Sequence, residues 1–329
     1  MGSVSTQSAT ETKRVDARTR KRCGTVDADL SLGRFVVKHR SMYFLILLPF
    51  AWLIIFRYIP LYGVTMAFQD FTFRRGYFGS PWVGVKHFAD LFESRLFMRA
   101  FRNTWIINGL RVTLGFPAPV ILSLLIYEIR SVGFKRVVQT LTYLPHFIGW
   151  VILAGIFHSL LAKDMGAVNH LLDSIGLSRI DFLQSNVTFR WVLVFTDIWR
   201  DVGFRTIIYL AAIAAINPEL YEAALVDGAG RLRRMISVTL PGIASTMVVL
   251  FVLQLGNMLS LGFDQVYNLY NPLVYETGDI IQTYILRMLQ ENPHWSRLAA
   301  AGLIRSVIGM VLLLAANRVV RFAGREAIY

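Results

Sequence analysis

The stretch NPELYEAALVDGAGRLRRMISVTLPG, residues 217–242, separates two of the most apolar parts of the chain. Asn217 is a residue type that caps helix N-termini, and Pro218 suits the first helical position. Glu219 places a negative charge in the first turn, where the helix dipole favours it. Gly228 most readily adopts the left-handed conformation that ends a helix. The stretch therefore predicts a short, well-delimited helix, followed by a second helical segment that leads into the next apolar run.

The surface of the first short helix is small and acidic. Four residues at spacings of three and four share one face of it: Leu220, Ala223, Ala224 and Asp227. The small side chains of the paired alanines protrude little from this face, so another protein can approach the helix closely. The alternative is an amphipathic helix lying on lipid headgroups. Its acidic residues, among them Glu222, disfavour contact with anionic lipid and favour a protein partner.

The composition of the chain indicates a membrane protein. Of its 329 residues, 55% are hydrophobic and only 17% are charged, whereas soluble domains contain about 25% charged residues. Six apolar segments are long enough to cross about 30 Å of hydrocarbon, which takes about 20 helical residues. The sequence predicts an all-α membrane protein with six transmembrane helices, in which the loop 217–241 joins the fourth to the fifth. The six segments lie near 42–66, 103–127, 137–161, 189–216, 242–263 and 299–319.

Lysine and arginine are concentrated in alternate connections. Residues 1–40 contain nine of them, and further groups lie in 128–136, in 217–242 and after residue 317. The positive-inside rule therefore places both termini and the loop 217–241 in the cytoplasm. Because this topology signal accounts for most of the net charge of +13, membrane lipids are the expected partner and nucleic acid is not. Residues 1–40 are predicted to form a partly disordered basic tail, and 41–329 the membrane domain.

Motifs for catalysis are missing from the sequence. It has no G-x-x-x-x-G-K-[ST] loop, no G-x-S-x-G turn and no H-E-x-x-H helix. Cys23 is the single cysteine, and the six histidines lack the spacing of metal ligands. We therefore expect a non-enzymatic chain that binds no metal and does not itself hydrolyse nucleotide.

The quoted stretch resembles the EAA loop of permease subunits in binding-protein-dependent bacterial ABC importers. That loop has the pattern E-A-A, three residues, G, nine residues, I-x-L-P, and only Val238 departs from it, replacing the isoleucine. Four further stretches resemble the subgroup of carbohydrate importers that takes up polysaccharide fragments, alginate importers included. They are YIPLYGVTMAFQDF (58–71), SPWVGVKHF (80–88), YLPHFIGWVI (143–152) and YNPLVYETGDIIQTYI (270–285).

The resemblance implies a multi-pass subunit of the bacterial inner membrane that works by alternating access. Its partners would be a second permease subunit, two ATPase subunits, an external solute-binding protein and an oligosaccharide. ATP and Mg²⁺ would be bound by the ATPases, and no cofactor by this chain. The residues that would couple to an ATPase are Glu222, Ala223, Ala224, Asp227, Gly228, Leu240 and Pro241.

Ionisable residues inside the apolar segments are candidates for the solute path. Such residues usually face a bundle interior or an aqueous cavity. The candidates are Arg111, Trp199, Arg200, Asp201, Arg205 and Arg305. An alternative of equal weight is a structural ladder, in which Arg200 pairs with Asp197 and Asp201 pairs with Arg205. We expect His146 to be a packed, hydrogen-bonded residue.

The charge within the spans suggests an acidic solute. Arg111 and Arg305 have no acidic neighbour within a helical turn, and a guanidinium matches a carboxylate bidentately. An oligosaccharide of uronates, as in alginate, fits this excess of positive charge within the spans. Pairing of these arginines with the second permease subunit explains the excess equally well.

The alternative function is an ion-coupled secondary transporter or channel without an ATPase, although such proteins often show inverted repeats that this sequence lacks. A membrane-embedded enzyme acting on lipid-linked sugars would need catalytic acids near one interface.

Overall fold

The computed structural model describes residues 40–260 and 262–322, so the predicted basic tail and Cys23 lie outside the described residues. Within the described part, β-structure is confined to one bridge between Gln69 and Trp82. The α-helices are α1 (Arg40–Leu53), α2 (Gly76–Gly79), α3 (Lys86–Glu93), α4 (Arg95–Gly115), α5 (Pro117–Glu128), α6 (Val132–Tyr143), α7 (Trp150–Leu161), α8 (Ala167–Ser174), α9 (Phe189–Ala214), α10 (Pro218–Val226), α11 (Arg231–Arg234), α12 (Leu240–Gly242), α13 (Ala244–Asn257), α14 (Phe263–Leu269), α15 (Tyr275–Gly278), α16 (Ile281–Glu291) and α17 (Trp295–Phe322).

The chain divides into two compact units, Met1–Gly63 and Val64–Tyr329. The described part of the first unit is the helical run that begins at Arg40. After α1 this run widens into a π-helical turn, Ile54–Tyr58, and then continues as a 3₁₀ segment. Pro60 lies at the start of that segment, where its missing backbone N–H and its ring prevent a regular α-helical turn.

Within residues 40–260 and 262–322, three helical stretches are long and apolar enough to cross a membrane: Arg40–Phe68, Arg95–Glu128 and Trp295–Arg318. Up to six spans result if each of three bent helix pairs counts as one. The fold is therefore the predicted all-α membrane protein, with spans that are less regular than the hydropathy pattern suggests.

The predicted span 137–161 is a bent pair of helical segments and not a single straight helix. The segments Val132–Phe147 and Trp150–Leu161 meet at an angle of 107°. Pro145 lies in a 3₁₀ turn just before the bend, and Gly149 is the extended N-cap of α7. Because proline lacks an N–H and glycine is free to extend, the helix is interrupted here.

The predicted span 242–263 begins at a bend and ends in a turn. The segments Arg231–Gly242 and Ala244–Asn257 are bent by 60°. The run then ends in the 3₁₀ turn Met258–Ser260, and Gly262 has a φ of +82°. The last residues of this expected span therefore belong to a turn that starts α14.

Helix α9 is central to the second unit. It packs against α4, α5 and α6, while α13 and α16 pack against α17. Gly203 makes the crossing of α9 and α6 close, because a Cβ there would lie 2.0 Å from the carbonyl oxygen of Thr142. One hydrophobic cluster joins α4, α7, α9 and α14 and includes Ile107, Leu153 and Leu193. These contacts position the charged middle of α9 against its neighbours.

Candidate functional site

Helix α10 has both of the end signals that the sequence predicts. The side chain of Asn217 accepts a hydrogen bond of 3.1 Å from the backbone N–H of Glu219, and Pro218 is the first helical residue. At the other end, Gly228 has a φ of +74°. Its N–H bonds to the carbonyl of Leu225, and the N–H of Ala229 bonds to the carbonyl of Ala224. This pair of bonds is the Schellman arrangement, so both helix ends are fixed by local contacts.

The predicted coupling residues separate into two groups in the structure. Glu222, Ala223 and Asp227 are exposed on α10, together with Gly228, and Ala224 is half-buried. No residue of α10 is buried. Leu240 lies instead at the start of the next apolar run, where it packs against a core cluster that includes Tyr209 and Ile213. Leu240 and Pro241 therefore belong to the base of the loop 217–241. The exposed surface of this loop lies on α10.

A charged cavity of about 750 Å³ opens between α9, α14, α16 and α17. Four of the predicted solute-path residues line it: Arg200, Asp201, Arg205 and Arg305. The remainder of the lining comprises Trp150, Asp197, Gly262, Phe263, Asp264, Gln282, Ile285, Leu286, Leu289, Leu298 and Gly302. The structure thus brings together arginines that are about 100 positions apart in the sequence.

Asp201 is the centre of the charge network at one side of this cavity. Its carboxylate lies 2.9 Å from Nδ1 of His146, 3.2 Å from Arg200 and 3.4 Å from Arg205. The Asp201–Arg205 pair is as predicted, but Arg200 pairs with Asp201 rather than with Asp197. The guanidinium of Arg200 also donates to the backbone carbonyls of His146 and Ile148, and these bonds turn it toward the bend between α6 and α7.

His146 is a packed residue, as predicted. Its ring stacks on Phe204 with 3.9 Å between ring centroids and an interplanar angle of 3°. Together with its contact to Asp201, this stack holds the imidazole between α9 and the 3₁₀ turn Leu144–Phe147. The histidine therefore helps to fix the wall of the cavity.

Arg111 does not line the cavity. Only 4% of it is exposed, and its guanidinium bonds to Asn108 and Gln265. The carboxylate of Asp197 also interacts with it electrostatically. A side chain at Gly262 would collide with this guanidinium, since a Cβ there would lie 1.7 Å from Nη1. The absence of an acidic neighbour in the sequence thus does not leave Arg111 unpaired in the fold.

Trp199 also lies outside the cavity lining. Its ring makes an edge contact with Phe157, with 5.6 Å between ring centroids, and 49% of the residue is exposed. Its neighbours Arg200 and Asp201 point to the cavity because they lie at other positions around α9. The structure therefore separates Trp199 from the charged residues beside it.

Arg305 is the cavity arginine with the fewest contacts. Within residues 40–260 and 262–322, no hydrogen bond or ion pair holds its side chain. The lining as a whole contains Asp197, Asp201 and Asp264 against Arg200, Arg205 and Arg305, which is formally neutral. The excess of positive charge inferred from the spans is therefore absent from this lining. Arg305 is the lining cation that remains available to pair with a solute.

Two polar residues at this site, Gln265 and Asp264, were not predicted from the sequence. Gln265 is fully buried and bonds to the carbonyl of Leu193 and the hydroxyl of Thr196, joining α14 to α9. Asp264 lines the cavity. Both lie at the end of a predicted span, where polar residues are ordinary, so no sequence signal separated them from a loop.

A second buried charge cluster fixes the segment before α17. The carboxylate of Asp279 is fully buried and lies 2.6 Å from Arg287 and 3.8 Å from Arg99. The guanidinium of Arg287 lies over the ring of Tyr275. Burial, together with Tyr275, raises the pKa of the neighbouring Tyr270 to about 12. The tyrosine stays neutral at physiological pH, and the cluster acts as a rigid support for α16.

Long apolar helices around a charged cavity, with an exposed and capped helix in one connection, define a membrane transport component. The chain belongs to the family of binding-protein-dependent transport system inner membrane components, whose model matches residues 98–325. It is therefore a multi-pass inner membrane protein of a bacterial importer, as the EAA-like loop predicted.

Several relatives are similar over most of their length. The polygalacturonan/rhamnogalacturonan transport system permease protein YteP of Bacillus subtilis (strain 168) is 41% identical over 89% of this chain and 92% of its own. Protein LplB of the same organism is 40% identical over the same shares. A crystal structure of a bacterial alginate ABC transporter with an alginate pentasaccharide-bound periplasmic protein contains a chain that is 39% identical. The match has a TM-score of 0.83 and covers 90% of this chain and 99% of that one.

Proposed function

We propose that this chain is the permease subunit of an ATP-driven importer of acidic oligosaccharides. It has six transmembrane spans, with both termini and the loop 217–241 in the cytoplasm. It pairs with a second permease subunit and docks two ATPase subunits, which bind ATP and Mg²⁺. An external solute-binding protein delivers the oligosaccharide, which crosses the membrane by alternating access.

The observation that carries this proposal is the exposed helix α10. Its ends are fixed by Asn217 and by Gly228, yet none of its residues is buried. A helix of nine residues is too short to be stable alone in water. Its regular ends and free surface therefore suit a part that docks into another protein. Glu222, Ala223, Ala224 and Asp227 provide that surface, and Leu240 and Pro241 join it to the following span.

The solute class is supported by the relatives and by the cavity. YteP is named for polygalacturonan and rhamnogalacturonan, and the matched crystal structure contains alginate; these are polymers that contain uronates. In this chain Arg305 offers a guanidinium to the cavity, and a guanidinium pairs well with a carboxylate. Arg200 and Arg205 already contact Asp201, so they serve chiefly to shape the site.

The test is uptake into proteoliposomes that contain this chain with its partner subunits. Matched oligogalacturonate and neutral oligogalactoside are compared for wild type and for Arg305→Ala. A hydrogen bond to a charged group contributes about 1.5–3 kcal/mol, so uptake of the uronate should fall at least roughly tenfold at low concentration. Arg179→Ala is the matched control, because Arg179 forms an exposed pair with Asp173 away from the cavity.

Three outcomes would contradict the proposal. Equal uptake of the uronate and the neutral sugar by wild type would exclude an acid-selective path. Uptake that persists without ATP, and that follows an ion gradient, would instead indicate a secondary transporter or channel. Co-purification of a separate ATPase polypeptide with this chain is the third measurement, and its absence from active vesicles would exclude an ABC importer.

A further inference from the structure

Tyr221 is a side chain that connects α10 to the rest of the second unit. Its hydroxyl lies 3.1 Å from the hydroxyl of Thr239. This side-chain hydrogen bond links α10 to the π-helical turn that precedes α12. Its ring also packs against the ring of Tyr127, with 6.0 Å between centroids. Since α10 contributes nothing to the core, these two contacts are its principal side-chain attachments.

The two partners of Tyr221 belong to different membrane segments. Thr239 ends the π-helical turn Met235–Thr239 that leads to α12 and α13, and it is only 2% exposed. Tyr127 lies in the last turn of α5, and the ammonium of Lys135 in α6 lies 5.7 Å from the centre of its ring. A movement of α10 would therefore pull on α13 through Thr239 and on α5 through Tyr127.

The bond to Thr239 distinguishes Tyr221 from an ordinary interfacial tyrosine. Tyrosines at a membrane surface direct their hydroxyl toward water and headgroups. Here the hydroxyl points to a buried partner inside a π-helical turn, a rare element that is frequent at functional sites. Tyr221 therefore connects α10 to the π-helical turn that leads into the next membrane segment.

We propose that Tyr221 is a positioning residue that transmits the movement of α10 to two membrane segments, through its hydroxyl to Thr239 and through its ring to Tyr127. The proposal rests on the proposed function, because it assumes that α10 receives its movement from an ATPase. It adds that Tyr221 sets how tightly ATP hydrolysis is coupled to transport.

The test measures the number of ATP molecules hydrolysed per oligogalacturonate imported, in proteoliposomes of the complete transporter. Tyr221→Phe removes the hydroxyl and keeps the ring on Tyr127. Thr239→Val removes the partner hydroxyl at nearly constant volume. We expect each variant to raise the ratio at least threefold, with the ATPase still co-purifying and its KM for ATP unchanged. The double variant should be no worse than either single variant, because both remove the same bond.

Matched controls are Tyr267→Phe and Thr140→Val. Tyr267 is 42% exposed in α14, and the hydroxyl of Thr140 bonds only to a carbonyl of its own helix; neither should alter the ratio. An unchanged ratio in Tyr221→Phe, fully additive effects in the double variant, or loss of the ATPase from the complex would each overturn the proposal. A wild-type complex without an ATPase would instead overturn the proposed function itself.

Discussion

At the scale of single residues, Gly228 is the position where backbone geometry bears most directly on the proposed coupling role of α10. Its φ of +74° is one that non-glycine residues rarely adopt, and a Cβ there would meet no atom within 4 Å. A substitution at Gly228 therefore tests backbone conformation without steric collision.

We predict that Gly228→Val loosens the C-terminal end of α10. A β-branched residue in the left-handed region costs about 1–3 kcal/mol, which is enough to unwind an exposed last turn. ATPase association or sugar-stimulated ATP hydrolysis should fall several-fold, while the amount of protein in the membrane stays normal. Both are measured on the purified complex and on membrane fractions.

Two controls accompany this change. Gly230→Val should behave as wild type, because Gly230 is already extended, with a φ of −66° and a ψ of 171°, and also has open space around it. Gly228→Asn should retain most activity, since asparagine tolerates the left-handed region. Wild-type transport and ATPase association in Gly228→Val would exclude a role for the helix end.

Residue-level predictions succeeded where the determining contacts are local. The cap at Asn217 and the turn at Gly228 depend on neighbours within a few positions, so residue type was sufficient. Prediction failed for Arg200, because its partner Asp201 is held in place by His146, which is 55 positions away. It also failed for Arg111, whose partner Gln265 lies in α14, 154 positions away.

At the scale of elements, the crossing of α9 and α6 depends on the absence of a side chain at Gly203. We predict that Gly203→Ala separates these helices, because its Cβ would lie 2.0 Å from a backbone oxygen that cannot rotate away. Overpacking of this kind costs about 1–3 kcal/mol. The thermal unfolding midpoint of the complex in detergent should fall, and the wall around Asp201 should be disturbed with it.

Gly109→Ala is the matched control for this change. Gly109 lies inside α4, and its Cβ would have no neighbour within 4 Å. Alanine favours a helix over glycine by about 0.5–1 kcal/mol, so the midpoint should stay the same or rise. Equal midpoints for Gly203→Ala and wild type would show that α6 and α9 can move apart freely.

The existence of the helices was predictable, but their direction was not. Hydropathy counts apolar residues along 137–161 and gives one span, whereas the structure has a bend of 107° inside it. Pro145 and Gly149 are visible in the sequence, yet prolines also occur in spans that remain continuous. Arg200 also donates hydrogen bonds to carbonyls at the bend, and no local pattern reveals these contacts.

At the scale of the whole molecule, the side of the membrane on which each connection lies can be tested with the native sequence. Cys23 is the only cysteine of the chain, so a membrane-impermeant maleimide reports the location of the N-terminal tail. We predict labelling in inside-out vesicles and protection in right-side-out vesicles. Ser174→Cys in a Cys23→Ser background should show the opposite pattern, because Ser174 is exposed in a connection predicted to lie outside. Labelling of Cys23 from the outside would contradict the topology.

The composition of the molecule predicted its class, whereas the cavity required the fold. Five of its charged lining residues, Asp197 included, were named from the sequence because charge inside an apolar segment is conspicuous. Asp264, whose negative charge offsets part of the positive charge of the lining, lies at a span boundary and was not recognised. The formal neutrality of the lining emerges only when α9, α14 and α17 are brought together.

The stack of His146 on Phe204 makes the cavity wall observable by magnetic resonance. The imidazole lies flat above a benzene ring at 3.9 Å, where the ring current shields its protons and moves their resonances upfield. Any separation of α9 from the turn before α7 would remove that shielding. Isotope-labelled histidine would therefore register movement of this cavity wall, at a position already present in the natural chain.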